Sequence, residues 1–152
     1  MATARGEPAP VLFGYDGSEL AQNAIEQAAR ELGPGRDAIV LCVWQPADVG
    51  FVPAGDRAFD AQDASEVQQA AEETAAEGAS LAEKAGFRAE SLTINASPTW
   101  QGILEVADGR GASLIVLGAH RRRGLIGHLL GSVTAAVVTH AAVSVLVVQE
   151  RA

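Results

Sequence analysis

Short apolar runs alternate along this chain with longer segments of helical period, and that alternation restricts the fold more than any other feature. The apolar run Val11-Leu12-Phe13-Gly14-Tyr15 leads into Asp16-Gly17-Ser18, after which Leu20, Ala24, Ala28 and Leu32 recur at helical spacing. Ser18 is the expected N-cap of that helix, and Gly33-Pro34-Gly35 the stop. A second strand is expected over residues 39–44. A loop carrying Pro46, Gly50, Pro53 and Gly55 follows it. Residues 61–85, rich in Ala, Glu and Gln, read as one long helix whose Glu66, Glu72, Glu73 and Glu77 face water. Strand three is expected over 88–94. Ser97-Pro98 reads as cap and first position of a helix holding Ile103, Leu104 and Val106. Residues 114–117 form strand four, Ser132 to about His140 the last helix, and Val143-Ser144-Val145-Leu146-Val147-Val148 strand five. Continuous apolar runs of this kind suit strands covered on both faces. The pattern is that of an α/β fold with a parallel sheet.

At 152 residues the chain is expected to form one domain over residues 10–152, preceded by a short frayed tail over 1–9. No apolar run approaches the roughly 20 residues of a membrane helix, so no membrane association is expected. The N-terminal stretch lacks the apolar centre of a secretion signal. Cys42 is the single cysteine, within an apolar run, which excludes an intrachain disulfide and suits a reducing cytoplasm. The formal net charge of −8 argues against general nucleic-acid binding, which draws on many basic groups.

Charge is nevertheless segregated. Between Asp108 and Glu150 there is no carboxylate, yet Arg110, Arg121, Arg122 and Arg123 all fall there. Three of these arginines lie in the loop that leaves strand four at Gly118 and reaches Gly131-Ser132, where helical pattern resumes. Backbone N–H groups of such a loop, together with those opening a helix, make a cradle for phosphate oxygens. Ser132 brings a hydroxyl and an N–H, and Val133 and Thr134 add donors in the same turn; a plain cap is the other role open to Ser132. His120, His128 and His140 lack metal-ligand spacing and read as structural.

This loop resembles that of the universal stress protein family, whose nucleotide-binding members carry Gly, two residues, Gly, nine residues, then Gly-Ser or Gly-Thr. Gly118, Gly131 and Ser132 fall in register, while Arg121 stands in place of the second glycine. The resemblance extends from Asp16-Gly17-Ser18 to the last strand. It implies an open Rossmann-like sheet in the order 3-2-1-4-5, with strands one and four adjacent and the ligand beyond their carboxyl ends. It implies ATP, or ADP or AMP, as ligand, contacted by Gly14, Tyr15, Asp16, Val43, Leu117, Gly118, Arg121, Gly131, Ser132, Val133 and Thr134. Val43 is the position that packs near adenine and offers backbone hydrogen bonds. Asp16 can bridge to phosphate through Mg²⁺ or Mn²⁺, since hard cations take both kinds of oxygen; a simple turn residue is its alternative role.

Arg121 can grip phosphate with its guanidinium or fill the cradle and block it. Lys84 is the only lysine, so no Gly-Lys-Ser/Thr phosphate loop exists, and no nucleophile elbow is present. Nothing recognisable positions a nucleophile for phosphoryl transfer. The expected function is an adenine-nucleotide-binding stress-response regulator. An interaction module that holds no nucleotide and a slow ATPase or phosphotransferase are the alternatives. An uncharged, apolar fifth strand at the sheet's edge invites pairing with a second copy, so a homodimer is expected there.

Overall fold

The computed structural model describes residues 8–45, 61–119 and 131–150. Nine elements follow one another among them: β1 (Val11–Gly14), α1 (Glu19–Leu32), β2 (Asp37–Trp44), α2 (Ala61–Ala85), β3 (Arg88–Asn95), α3 (Thr99–Gly109), β4 (Leu114–Ala119), α4 (Ser132–His140) and β5 (Ser144–Gln149). The strands form one sheet in the order β3-β2-β1-β4-β5, and every neighbouring pair is parallel. This is the order the resemblance implies.

Burial follows from that topology. Successive residues of β1 point to opposite faces. Val11 and Phe13 join a core with Ala24, Ile25 and Ala28 of α1 and Ala82 of α2, whereas Leu12 joins Ile103 and Val106 of α3 and Val137 of α4. Two apolar layers therefore clasp the central strands, which is why those strands read as unbroken apolar runs. Phe13 meets Phe87 edge to face, with ring centroids 5.3 Å apart. Cys42 is buried against Ala71 and Ala75, and Glu66, Glu72, Glu73 and Glu77 are exposed, both as expected.

Helix starts hold the instructive differences. Ser18 caps α1 as expected, its hydroxyl accepting from the Ala21 N–H at 3.2 Å, and Gly33 ends the helix at φ 77°. The buried stripe of α1 is Ala21, Ala24, Ile25 and Ala28, with Leu20 and Leu32 only half-buried. For α3, the cap is Pro98 and not Ser97, and Thr99 is the first helical residue. Pro98 sits at φ −72° and ψ 158°, a backbone that its ring favours and that is not yet helical. For α4, Gly131 is the cap and Ser132 the first helical residue, with no side-chain cap bond. The cap role open to Ser132 is therefore not the one it takes. His140 stacks on Trp100 with centroids 4.6 Å apart, a structural role as expected. His120, His128, Arg121, Arg122 and Arg123, and the loop with Pro46, Gly50, Pro53 and Gly55, lie outside the described residues.

Candidate functional site

Because all strands are parallel, their carboxyl ends and the amino ends of the following helices meet at one edge of the sheet. A cleft of about 740 Å³ opens there between β1 and β4. Its apolar wall is built by Leu41, Val43, Ile103 and Leu117, and Gly14 forms part of its floor. A Cβ on Gly14 would come within 2.5 Å of Leu117 Cδ2, so the missing side chain is what lets β1 and β4 close around this space.

Gly118 has a different reason to be glycine. A Cβ there would lie 2.7 Å from the Leu20 carbonyl oxygen and 2.9 Å from its carbon, so the first turn of α1 rests directly on β4. The Gly118 carbonyl accepts from the Thr134 hydroxyl at 3.5 Å, and Thr134 is buried. This contact ties the start of α4 to the end of β4. Val133 and Thr134 line the cleft. Gly131 and Ser132 are exposed at the helix start and are not among the lining residues. The Gly131 carbonyl accepts from the Ala135 N–H, the first bond of the helix. Among the described residues no side chain caps α4, and the first-turn N–H groups stand at the cleft's rim.

Val43 contributes through its backbone. Pairing of β1 with β2 ends at Gly14 and Leu41, followed by one more bond from the Tyr15 N–H to the Leu41 carbonyl at 2.8 Å. Peptide groups that face one neighbour recur every second residue along a strand. The Val43 N–H and C=O thus face the side where β1 has already ended, at the cleft. They form a donor and an acceptor on one edge.

Asp16 is exposed on the rim, where its Oδ1 accepts from the Ser18 N–H at 3.0 Å. Gly17 between them sits at φ 83°, a conformation that favours glycine. The turn role of Asp16 is therefore real, and its second carboxylate oxygen makes no hydrogen bond in that turn. Among the described residues no group of three or more His, Cys, Asp or Glu could hold a metal ion. Asp16 shares the cleft's lining with Glu19 and Glu150, and a carboxylate at the rim suits a cation that arrives with phosphate oxygens and water as its other ligands. Tyr15 lines the cleft near its backbone, while its ring packs into the core beside Gly78. Burial, reinforced by the charge of Glu77, raises its pKa above the ordinary value, with Gln22 opposing the shift; among the described residues no hydrogen bond of ordinary geometry reaches the hydroxyl.

The structure thus brings Gly14, Tyr15, Asp16, Val43, Leu117, Gly118, Val133 and Thr134 to one cleft. Asn23, Thr99, Ile103 and Glu150 also line it, and sequence reasoning passed over them. Thr99 opens α3 and Glu150 follows β5, so both stand where the carboxyl-end rule would have found them. No described helix is long and apolar enough to cross a membrane.

Residues 9–149 match the family model described as the universal stress protein family. A universal stress protein of Mycolicibacterium smegmatis is 34% identical over 154 residues, an alignment covering 93% of this chain and 46% of that protein. The chain therefore spans about half the length of the curated relatives it matches. Among solved structures, a universal stress protein of Archaeoglobus fulgidus in complex with dAMP superposes with a TM-score of 0.56 at 24% identity, covering 93% of this chain and 96% of that one. A universal stress protein family member of Arabidopsis thaliana with AMP bound gives 0.64 at 18% identity, over 95% and 94%. With fold, family model and relatives in agreement, the chain belongs to the universal stress protein family.

Proposed function

We propose that this chain binds an adenine nucleotide in the cleft between β1 and β4 and acts as a nucleotide-responsive regulator of the stress response. One observation carries the reading: the free edge of Val43 and the uncapped first turn of α4 face the same space. The Val43 N–H and C=O match the acceptor and donor on one edge of adenine. At the other side, N–H groups of Ser132, Val133 and Thr134 suit phosphate oxygens. Gly118 lets α1 close onto β4 beside the cleft, Gly131 leaves the start of α4 unobstructed, Arg121 adds a guanidinium grip, and Asp16 takes part through Mg²⁺ or Mn²⁺ held jointly with phosphate. That relatives of this fold were solved with AMP, dAMP or cAMP supports the ligand class.

Binding is expected to be micromolar, about −7 to −9 kcal/mol, because backbone donors at a solvated rim replace water contacts of similar strength. Calorimetry with ATP, ADP and AMP, with and without Mg²⁺, followed by phosphate-release assay on the same sample, tests the proposal. Heat without phosphate release supports a regulator. Rapid release would favour an ATPase, and silence at millimolar nucleotide would favour an interaction module whose loop Arg121 blocks.

A homodimer through β5 belongs to the same reading. β5 is an edge strand, and apart from Ser144 and Gln149 it is apolar, with Val145, Leu146 and Val147 only partly buried. Antiparallel pairing with a second copy would satisfy both edges. Light scattering at tens of micromolar should show a dimer that Val145→Lys with Val147→Lys dissociates without loss of nucleotide binding. A monomeric wild type would refute it. The buried single thiol fits a cytoplasmic setting.

A further inference from the structure

Where β2 ends and α3 begins, Gln45 Nε2 donates to Thr99 Oγ1 at 3.0 Å in a partly buried bond. Thr99 lines the cleft. Its helix lies against the Val43 side of the space, since a Cβ on Gly102 would come within 3.5 Å of Val43 Cγ1. A threonine hydroxyl has one proton to give and two lone pairs to offer. The Gln45 amide occupies a lone pair, which leaves the proton to be given to another acceptor.

We propose that Thr99 is a specificity-determining residue of the nucleotide site, its hydroxyl donating to a ring nitrogen of the bound purine while the Val43 backbone serves the base's other polar groups. The inference rests on the reading of the cleft as an adenine-nucleotide site. Gln45 acts through Thr99 and is a positioning residue: it sets which way the hydroxyl points its proton. Thr99 is held in the first turn of α3, and Gln45 directly follows Trp44, the last residue of β2. A neutral hydrogen bond of this kind discriminates modestly, by about three- to tenfold.

The test compares AMP with its 1-deaza, 3-deaza and 7-deaza analogues, each lacking one ring acceptor, by calorimetry on the full chain. Wild type should bind two of the three more weakly than AMP, the analogue lacking the nitrogen that meets the Val43 N–H and, by about three- to tenfold, the one lacking the nitrogen that meets Thr99; Thr99→Val should erase only the second difference. Thr99→Ser should restore it, because the hydroxyl returns. Gln45→Glu should erase it again, since a carboxylate takes the Thr99 proton and turns a lone pair to the cleft. If Thr99→Val weakens all four ligands equally, or none of them, Thr99 does not read the base and the proposal is overturned. No binding of AMP by wild type would overturn the nucleotide reading itself, an outcome distinct from a bound but undiscriminated series.

Discussion

The two edges of the sheet solve opposite problems. At the amino-terminal edge of the strands, charged side chains answer one another: Arg88 Nε meets Asp37 Oδ1 at 2.7 Å, Arg110 pairs with Glu90, and Arg36 donates to the Ala9 carbonyl at 2.8 Å. Helices end there, with Arg30, Lys84 and His140 in the last turns of α1, α2 and α4, beside the negative pole of the helix dipole. At the carboxyl edge the polar groups facing the cleft include backbone amides and hydroxyls, from Val43, Thr99, Thr134 and the first turn of α4. Helix starts bring the positive pole to that edge. The contrast teaches that a pocket is a candidate site by what its polar groups still have to offer, since both edges are concave and both carry charge.

The sharpest way to break the comparison is Gly118→Val. The added side chain must displace the Leu20 carbonyl, a backbone group that cannot yield cheaply. Overpacking of this sort costs up to about 3 kcal/mol, read as a fall in the urea midpoint, and nucleotide binding should be lost with it. Arg121→Ala should weaken ATP binding by about 1.5–3 kcal/mol in calorimetry if the guanidinium grips phosphate. Tighter binding by Arg121→Gly would show the opposite, that the arginine obstructs the cradle. Thr134→Val removes the hydroxyl that ties α4 to Gly118 and should cost about 1 kcal/mol of stability by urea unfolding, with weaker nucleotide binding.

Alkaline pH gives a smaller effect with a definite sign. Tyr15 is the chain's one tyrosine, and burial raises its pKa in the folded state. Below about pH 10, the ordinary value, its contribution is fully present; as pH rises further the unfolded chain releases the proton first, and stability falls. Absorbance at the phenolate band should titrate above pH 10 in the native protein and near 10 when unfolded. Tyr15→Phe should flatten the alkaline loss. At the other edge, Asp37→Asn breaks an exposed ion pair and should change stability by no more than about 0.5 kcal/mol, with nucleotide affinity unaltered. A large effect on binding there would collapse the distinction between the edges.

The fold was legible because its signals are local and repeated. Val11-Leu12-Phe13 and Ile115-Val116-Leu117 read as buried strands since both faces of the sheet are covered, and Ser18 and Gly33 mark α1 by their own backbone chemistry. The cleft was legible in part. Gly118 stood out, yet the reason the structure gives for it is the approach of α1, a contact between distant segments that no local pattern encodes. Thr99 was passed over for a related cause: its partner Gln45 is 54 residues away, and Pro98 hid the helix start by taking the cap position itself. The α4 start at Ser132 was legible, whereas its cap was not: serine is the commoner cap, yet Gly131 takes that place at a cost of only a few tenths of a kcal/mol.

Amide chemical-shift mapping during an AMP titration tests the central claim most directly, since it reports on both edges in one sample. Nucleotide binding at the carboxyl edge should give saturable shifts at Val43, Gly118, Val133 and Thr134, with Arg88, Glu90 and Arg110 unmoved. Shifts concentrated at those three residues, or no shifts at millimolar AMP, would contradict it.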